Sequence, residues 1–260
     1  MPATLDYDSS DTKSLTPLAV LPPPNRLKWV LFDLDMTLWN HELALQHALE
    51  DLCGKMGIPY ALFRRHYSEQ SRLQWEAFKR REIDIPTLRH RRLFNAFELS
   101  GSRRSDREIR DLCEYYLSIY HSYQGEMEGA FEVMRLASMF SKLGILTNAS
   151  RELQTRKIQQ LKGSDLLTLV LTVDETGCPK TDPNFYREAE RLMNYPMPER
   201  VLYIGDSWED DVVPSFAKGW NTVWITAENA PRPDRSIRVP KITSVVDLVP
   251  YFNQTRDQYQ

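Results

Sequence analysis

The chain has 260 residues and a mass of 30.4 kDa, room for one large domain or a core with an inserted module. Its 33 Lys and Arg against 36 Asp and Glu leave a formal charge of −3, which excludes a global electrostatic case for nucleic acid or an anionic membrane. Hydrophobic residues at 42% suffice for a core, yet no apolar run approaches the roughly 20 residues of a membrane-spanning helix.

In chain order, residues 1–27 are rich in Ser, Thr, Asp and Pro and read as a disordered or loosely docked tail. Their short apolar run at 18–21 ends in three prolines, and acids precede it, so neither a secretory leader nor a mitochondrial presequence is expected. Cys53, Cys113 and Cys178 form neither a disulfide framework nor a CxxC site, so the expected compartment is the reducing cytoplasm. Order begins at Trp29-Val30-Leu31-Phe32, a short apolar run of the kind that makes a buried strand. A helical block follows. Leu45, Ala48, Leu49, Leu52, Cys53 and Met56 fall on one helical face, stopped by Gly57 and Pro59. Further helices are expected over 64–80, over 86–99 with Pro86 in the first turn, and around Ile109, Leu112, Tyr116 and Tyr120.

The rhythm then changes to strands at 143–147, 168–172, 201–205 and 222–225. Helices at 151–161, 183–193 and 210–218 separate them, and a last helix spans 244–252. Continuous apolar strands alternating with helices indicate an α/β fold, a doubly wound parallel sheet covered on both faces. The expected organisation is a catalytic core from residues 28–40 and 125–260, with an all-helical cap, 41–124, inserted after the first strand.

Ligands of such sheets bind beyond the carboxyl ends of the strands. There the sequence places Asp33 and Asp35, then Thr147 and Asn148, then a loop ending in Lys180, then Gly205-Asp206-Ser207 with Asp210 and Asp211. This ordered set, Asp-x-Asp-x-Thr, Thr-Asn, a loop Lys and Gly-Asp-Ser with a later Asp, resembles the phosphatase branch of the haloacid dehalogenase superfamily. The helical insert resembles its C1-type cap. Each motif alone is weak; four in order at strand ends are specific.

The resemblance implies that Asp33 is the nucleophile of an aspartyl-phosphate route and that Asp35 serves as general acid and base. A second acid at that place disfavours haloacid dehalogenation. Thr147, Asn148 and Lys180 would hold the phosphoryl oxygens. Several carboxylates around a phosphate dianion require a cation, so Mg²⁺ is expected on Asp33, Asp206 and the Asp35 carbonyl. Asp211 would hold a metal-bound water or orient Lys180, with Asp210 as the alternative. Met36, Ala149 and Thr181 depart from the usual family residues and bear on loop geometry only.

In the cap, residues 73–78 and 83–88 with Arg91 resemble, more loosely, caps of pyrimidine nucleotidases and N-acylneuraminate-9-phosphatases, and the chain is similar to phosphoglycolate phosphatase-like members as well. Trp75 and Phe78 read as packing residues, with base stacking as the alternative. Lys79, Arg80, Arg81, Arg89, Arg91 and Arg92 read as solvated helix faces, with a phosphate site as the alternative. The expectation is a Mg²⁺-dependent phosphatase acting on a small phosphorylated metabolite, a nucleoside monophosphate or sugar phosphate. It would work as a monomer or homodimer, without a nucleic-acid or membrane partner. A phosphotransferase or phosphomutase, and a catalytically silent interaction module, stand as alternatives.

Overall fold

Strand β1 (Trp29–Phe32) is buried along its whole length and lies at the centre of a parallel six-stranded sheet of order β3-β2-β1-β4-β5-β6. The other strands are β2 (Lys142–Thr147), β3 (Leu167–Thr172), β4 (Val201–Gly205), β5 (Asn221–Ile225) and the two-residue β6 (Lys241–Ile242). The computed structural model describes residues 18–254. Alternation along the strands divides the core in two. Val30 and Phe32 point to one face, with Ile145, Ile204 and Val223, and Trp29 and Leu31 to the other, with Tyr203 and Trp220. Helices α5 (Ala130–Ser138) and α10 (Val249–Asn253) cover the first face, and α8 (Pro183–Leu192) covers the second through Phe185, Tyr186 and Ala189.

Between β1 and β2 stand four helices besides α5: α1 (His41–Met56), α2 (Tyr60–Lys79), α3 (Ile85–Leu99) and α4 (Asp106–Ser122). They enclose a hydrophobic cluster of their own, which includes Leu45, Leu49, Phe63, Tyr67, Phe97, Ile109 and Tyr116. Local signals set their ends. Asn40 accepts from the Leu43 N–H, Asp84 from the Thr87 N–H, and Ser105 with Glu108 forms a capping box. Gly57, at φ 65°, closes α1 in the left-handed conformation.

Two expectations need correction. Residues 18–27 are part of the folded body: Leu21 and Leu27 are buried in the first core, and the Tyr251 hydroxyl donates to the Pro22 carbonyl at 2.6 Å. Composition favoured a loose arm, but two leucines with an apolar surface to cover outweigh it. Residues 1–17 of that expected tail lie outside the described residues. The second correction concerns 210–218, expected as one helix. The chain there makes a π turn, Trp208–Val212, and only then the short α9 (Val213–Ala217).

Candidate active site

The sheet's strand order reverses direction between β1 and β4, the place where an open parallel sheet forms a crevice at its carboxyl edge. Asp33 follows β1 directly, and its N–H donates to the Ile204 carbonyl of β4 at 2.8 Å. Asp206 follows Gly205 at the end of β4, so the two carboxylates meet at this crevice. Thr147 ends β2. Asn148 comes next and accepts the Lys180 N–H through its Oδ1 at 2.7 Å, tying the lysine loop to the β2 end.

Asp33, Asp206 and Asp211 bring carboxylate oxygens within 4.8 Å of one another. The π turn accounts for the choice of Asp211. The N–H groups of Asp211 and Val212 both donate to the Ser207 carbonyl, at 3.0 and 3.1 Å. The widened turn folds the Asp211 side chain back over Gly205, where an added Cβ would lie 2.5 Å from that carboxylate. There Asp211 accepts from the Tyr203 hydroxyl at 2.7 Å and the Ser207 N–H at 2.9 Å. Asp210 lines the same cavity but stands outside the trio, and its Oδ1 is buried without a partner.

Lys180 is 1% exposed, and its Nζ donates to Asp33 and, at 2.7 Å, to Asp211. Burial opposes its charge, but Asp211 and Asp33 outweigh that and hold its pKa above the ordinary lysine range. Burial, helped by Asp211 and Asp206, pushes Asp33 well above the carboxylate range despite Lys180. Burial and Asp211 push Asp206 up to about 7. This is the electrostatic mark of a cluster with more negative charge than one lysine balances.

Asp35 has a different environment. Its Oδ1 accepts from Lys157 Nζ at 2.6 Å and its Oδ2 from Gln154 Nε2 at 3.0 Å. Burial works against its ionisation, yet Lys157, His41 and Gln154 prevail and hold its carboxyl below the usual range. Gln154 also donates to Thr147 Oγ1 at 2.8 Å, linking Asp35 to the β2 end. Met36, next in the chain, has φ 64°, a left-handed conformation that explains why glycine suits this position.

All eight residues singled out by the motifs, Asp33, Asp35, Thr147, Asn148, Lys180, Asp206, Asp210 and Asp211, line one cavity of about 330 Å³. Its far wall comes from α1–α4 and includes His41, Trp75, Leu88, Arg92 and Tyr120. Trp75 lines this wall against Phe78, 5.2 Å between ring centroids, and takes no part in the cluster inside α1–α4. The basic run of that block divides. Lys79 pairs with Glu76 at 2.9 Å, Arg80 with Glu82 at 2.7 Å and Arg81 with Asp182 at 2.8 Å, while Arg89 donates to Ser150 at 3.1 Å. Arg92 turns into the cavity.

The motif reading missed Gln154, Lys157, His41 and Tyr203, and it read Arg92, which lines the cavity, as part of a solvated helix face, with a phosphate site only as the alternative. Gln154 and Lys157 had a signal: they sit three residues apart on α6 (Arg151–Gln160), directly after Thr147-Asn148, and are buried on a helix with little apolar face. His41 had none, and the basic run around Arg92 could not say which of its members turns inward, because nothing local says which helical face meets the sheet.

A family model described as haloacid dehalogenase-like hydrolase matches residues 27–213. The chain belongs to that family. It is an enzyme of the hydrolase class, and no described helix is long and apolar enough to cross a membrane. Pyrimidine 5'-nucleotidase YjjG of Escherichia coli is 24% identical over 222 residues, 85% of this chain and 95% of that protein. Glyceraldehyde 3-phosphate phosphatase of Pyrococcus abyssi is 27% identical over 212 residues, 76% and 81% of the two chains. Among solved structures, the putative hydrolase YfnB of Bacillus subtilis, bound to magnesium, superposes with a TM-score of 0.75 at 20% identity. The match covers 88% of this chain and 99% of YfnB. A 2-haloacid dehalogenase of Pseudomonas syringae shares the fold at a TM-score of 0.61 and 24% identity, with 88% and 99% covered.

Proposed function

We propose that this hydrolase is a Mg²⁺-dependent phosphatase of small phosphomonoesters that works through a phosphorylated Asp33. One observation carries the reading: a close carboxylate trio, two of whose members Lys180 bridges, shares its cavity with a further, separately held acid, Asp35. The Asp33 carboxylate attacks phosphorus in line with the departing oxygen, the bond from phosphorus to that oxygen breaks, and Asp35, ionised beside Lys157, relays to the leaving group the proton that a phosphomonoester monoanion brings into the site. Water then attacks the phosphorus of the aspartyl phosphate while Asp35 takes its proton, and inorganic phosphate leaves with Asp33 restored. Lys180, the Thr147 hydroxyl and the Asn148 N–H face the phosphoryl oxygens.

The donor set fits a hard divalent cation, since the close carboxylates offer only oxygen and two of them are driven toward protonation without one. Asp33, Asp206 and the Asp35 carbonyl would hold Mg²⁺, with Asp211 reaching it through water while it positions Lys180. When bound, the ion supplies positive charge to the phosphate dianion and the carboxylates.

Asp35 separates this reading from dehalogenation, whose leaving halide needs no proton. The helices α1–α4 act as a cap over the cavity, and the named phosphatase relatives support a nucleoside monophosphate or a sugar phosphate as substrate. The test is phosphate release from a panel of phosphorylated metabolites with Mg²⁺, for wild type and Asp33→Asn. The variant is expected to lose more than about 10³-fold in kcat, as removal of a nucleophile does. Retained turnover in Asp33→Asn would refute the mechanism, and an isomerised product without phosphate would make the enzyme a mutase.

A further inference from the structure

Four cations line the cavity, Arg89, Arg92, Lys157 and Lys180. Three have an acid at hand: Lys180 has Asp33 and Asp211, Lys157 has Asp35, and Arg89 reaches Glu152 at 4.0 Å as well as Ser150. Arg92, on α3, has neither a hydrogen bond nor an ion pair among the described residues, and its Nε is buried without a partner. Its guanidinium lies over the Tyr67 ring, 5.3 Å from the centroid. The other groups beside it do not neutralise it. Burial keeps the Tyr116 and Tyr120 hydroxyls protonated, and burial holds His41 at about 4, so its ring is uncharged near neutral pH.

We propose that Arg92 is the centre of a leaving-group subsite that binds a second anionic group of the substrate, a carboxylate or a second phosphoryl group. The proposal rests on the phosphatase reading above and favours its sugar-phosphate branch over nucleoside monophosphates, narrowing the substrate to a small phosphomonoester that carries a carboxylate or a second phosphoryl group. A buried charge without a partner is costly, and a planar guanidinium matches carboxylate and phosphoryl oxygens two at a time. The transferred phosphoryl group already has Lys180, Thr147 and Asn148 at the strand ends, whereas Arg92 projects from the opposite wall. Beside it, Trp75 and Leu88 offer apolar surface to the carbon frame that joins the two anionic ends. The cavity of about 330 Å³ holds a frame of sugar size.

The experiment compares matched pairs of phosphomonoesters differing by one acidic group. These are 2-phosphoglycolate with ethyl phosphate, 3-phosphoglycerate with glycerol 3-phosphate, 6-phosphogluconate with sorbitol 6-phosphate, and fructose 1,6-bisphosphate with fructose 6-phosphate. The first three pairs report a carboxylate and the last a second phosphoryl group. In wild type, at least one acidic member is expected to exceed its neutral partner by about tenfold or more in kcat/KM, chiefly through KM. Arg92→Gln abolishes that ratio, and Arg92→Lys, which keeps the charge but not the fork, retains part of it. No preference in any wild-type pair, or a preference that survives Arg92→Gln, overturns the subsite. An equal loss on both members of a pair does the same, because it would put Arg92 on the transferred phosphoryl group. If Arg92→Gln does not fold, the wild-type ratios and Arg92→Lys decide: a Lys variant with the full wild-type preference also overturns it. Phosphate release from neutral esters without preference refutes the subsite and leaves the phosphatase reading intact. No release from any ester, p-nitrophenyl phosphate included, refutes the phosphatase reading itself.

Discussion

Replacing Lys180 by Met removes the ammonium that touches both Asp33 and Asp211 and keeps most of its apolar stem. The Asp211 side chain is 1% exposed and that of Asp33 11%, so water cannot take the lysine's place. Removing one partner of a buried pair costs about 3–5 kcal/mol, because the remaining charge is left uncompensated. A domain is stable by only about 5–15 kcal/mol, so the loss is a large part of the total. At about 2–4 °C per kcal/mol for a chain near this size, the metal-free variant should melt about 6–20 °C below wild type. The deficit shrinks as pH falls, because protonation of Asp33, whose pKa burial raises, removes one of the stranded charges. Adding Asp211→Asn should restore part of the loss, since one of the stranded charges disappears. Saturating Mg²⁺ should lift the variant more than wild type, because the cation then meets a site with one more uncompensated charge. The assay is thermal unfolding by circular dichroism with EDTA or Mg²⁺. A metal-free Lys180→Met protein that melts at the wild-type temperature at pH 8 would refute the claim that Lys180 compensates buried charge.

Three further outcomes follow from the site. Lys157→Met removes the charge that keeps Asp35 ionised, so burial then dominates. The Asp35 titration midpoint, read by carboxyl ¹³C NMR in the metal-free protein, should rise, and an unmoved midpoint would show that Lys157 does not tune it. Asp206, raised to about 7 when folded, binds a proton in the native state at a pH where the unfolded chain does not. Metal-free protein should therefore gain stability from this group as pH falls from 8 to 6, and Mg²⁺ should raise the melting temperature more at pH 8 than at pH 6; an equal rise at both would contradict it. Gly205→Ala puts a methyl 2.5 Å from the Asp211 carboxylate, so melting temperature and kcat should both fall, and unchanged kcat would mean that the position of Asp211 is immaterial.

Much of this fold is written locally. Apolar runs such as Val201–Gly205 become strands because four or five β-favouring residues in a row have no other way to bury both faces. Asp33, Thr147, Asn148, Lys180 and Asp206 are legible for the same reason: each stands immediately past such a run or in the loop after one, and strand ends of a parallel sheet converge. The helices of 41–122 were legible from their spacing, and their caps from single residues such as Ser105. The docked segment 18–27 was not, because its fate depends on whether Leu21 and Leu27 find an apolar surface elsewhere in the chain.

Sequence alone thus determined the order of the first five strands and of the main helices, though not α5 or the two-residue β6, and the chemical identity of the carboxylates, threonine, asparagine and lysine at the sheet's edge. It preferred Asp211 but kept Asp210 as the alternative, since one residue of turn geometry reverses their directions. The π turn, closing on the Ser207 carbonyl, brings the Asp211 carboxylate to Asp33 and Asp206. Sequence could not reveal that Lys157 and Gln154 hold Asp35, or that Arg92 enters the cavity without an acid partner. Those facts depend on which side of a helix meets a distant strand. That is a property of packing between segments a hundred or more residues apart in some cases, as for Lys157 and Asp35, and no local pattern records it.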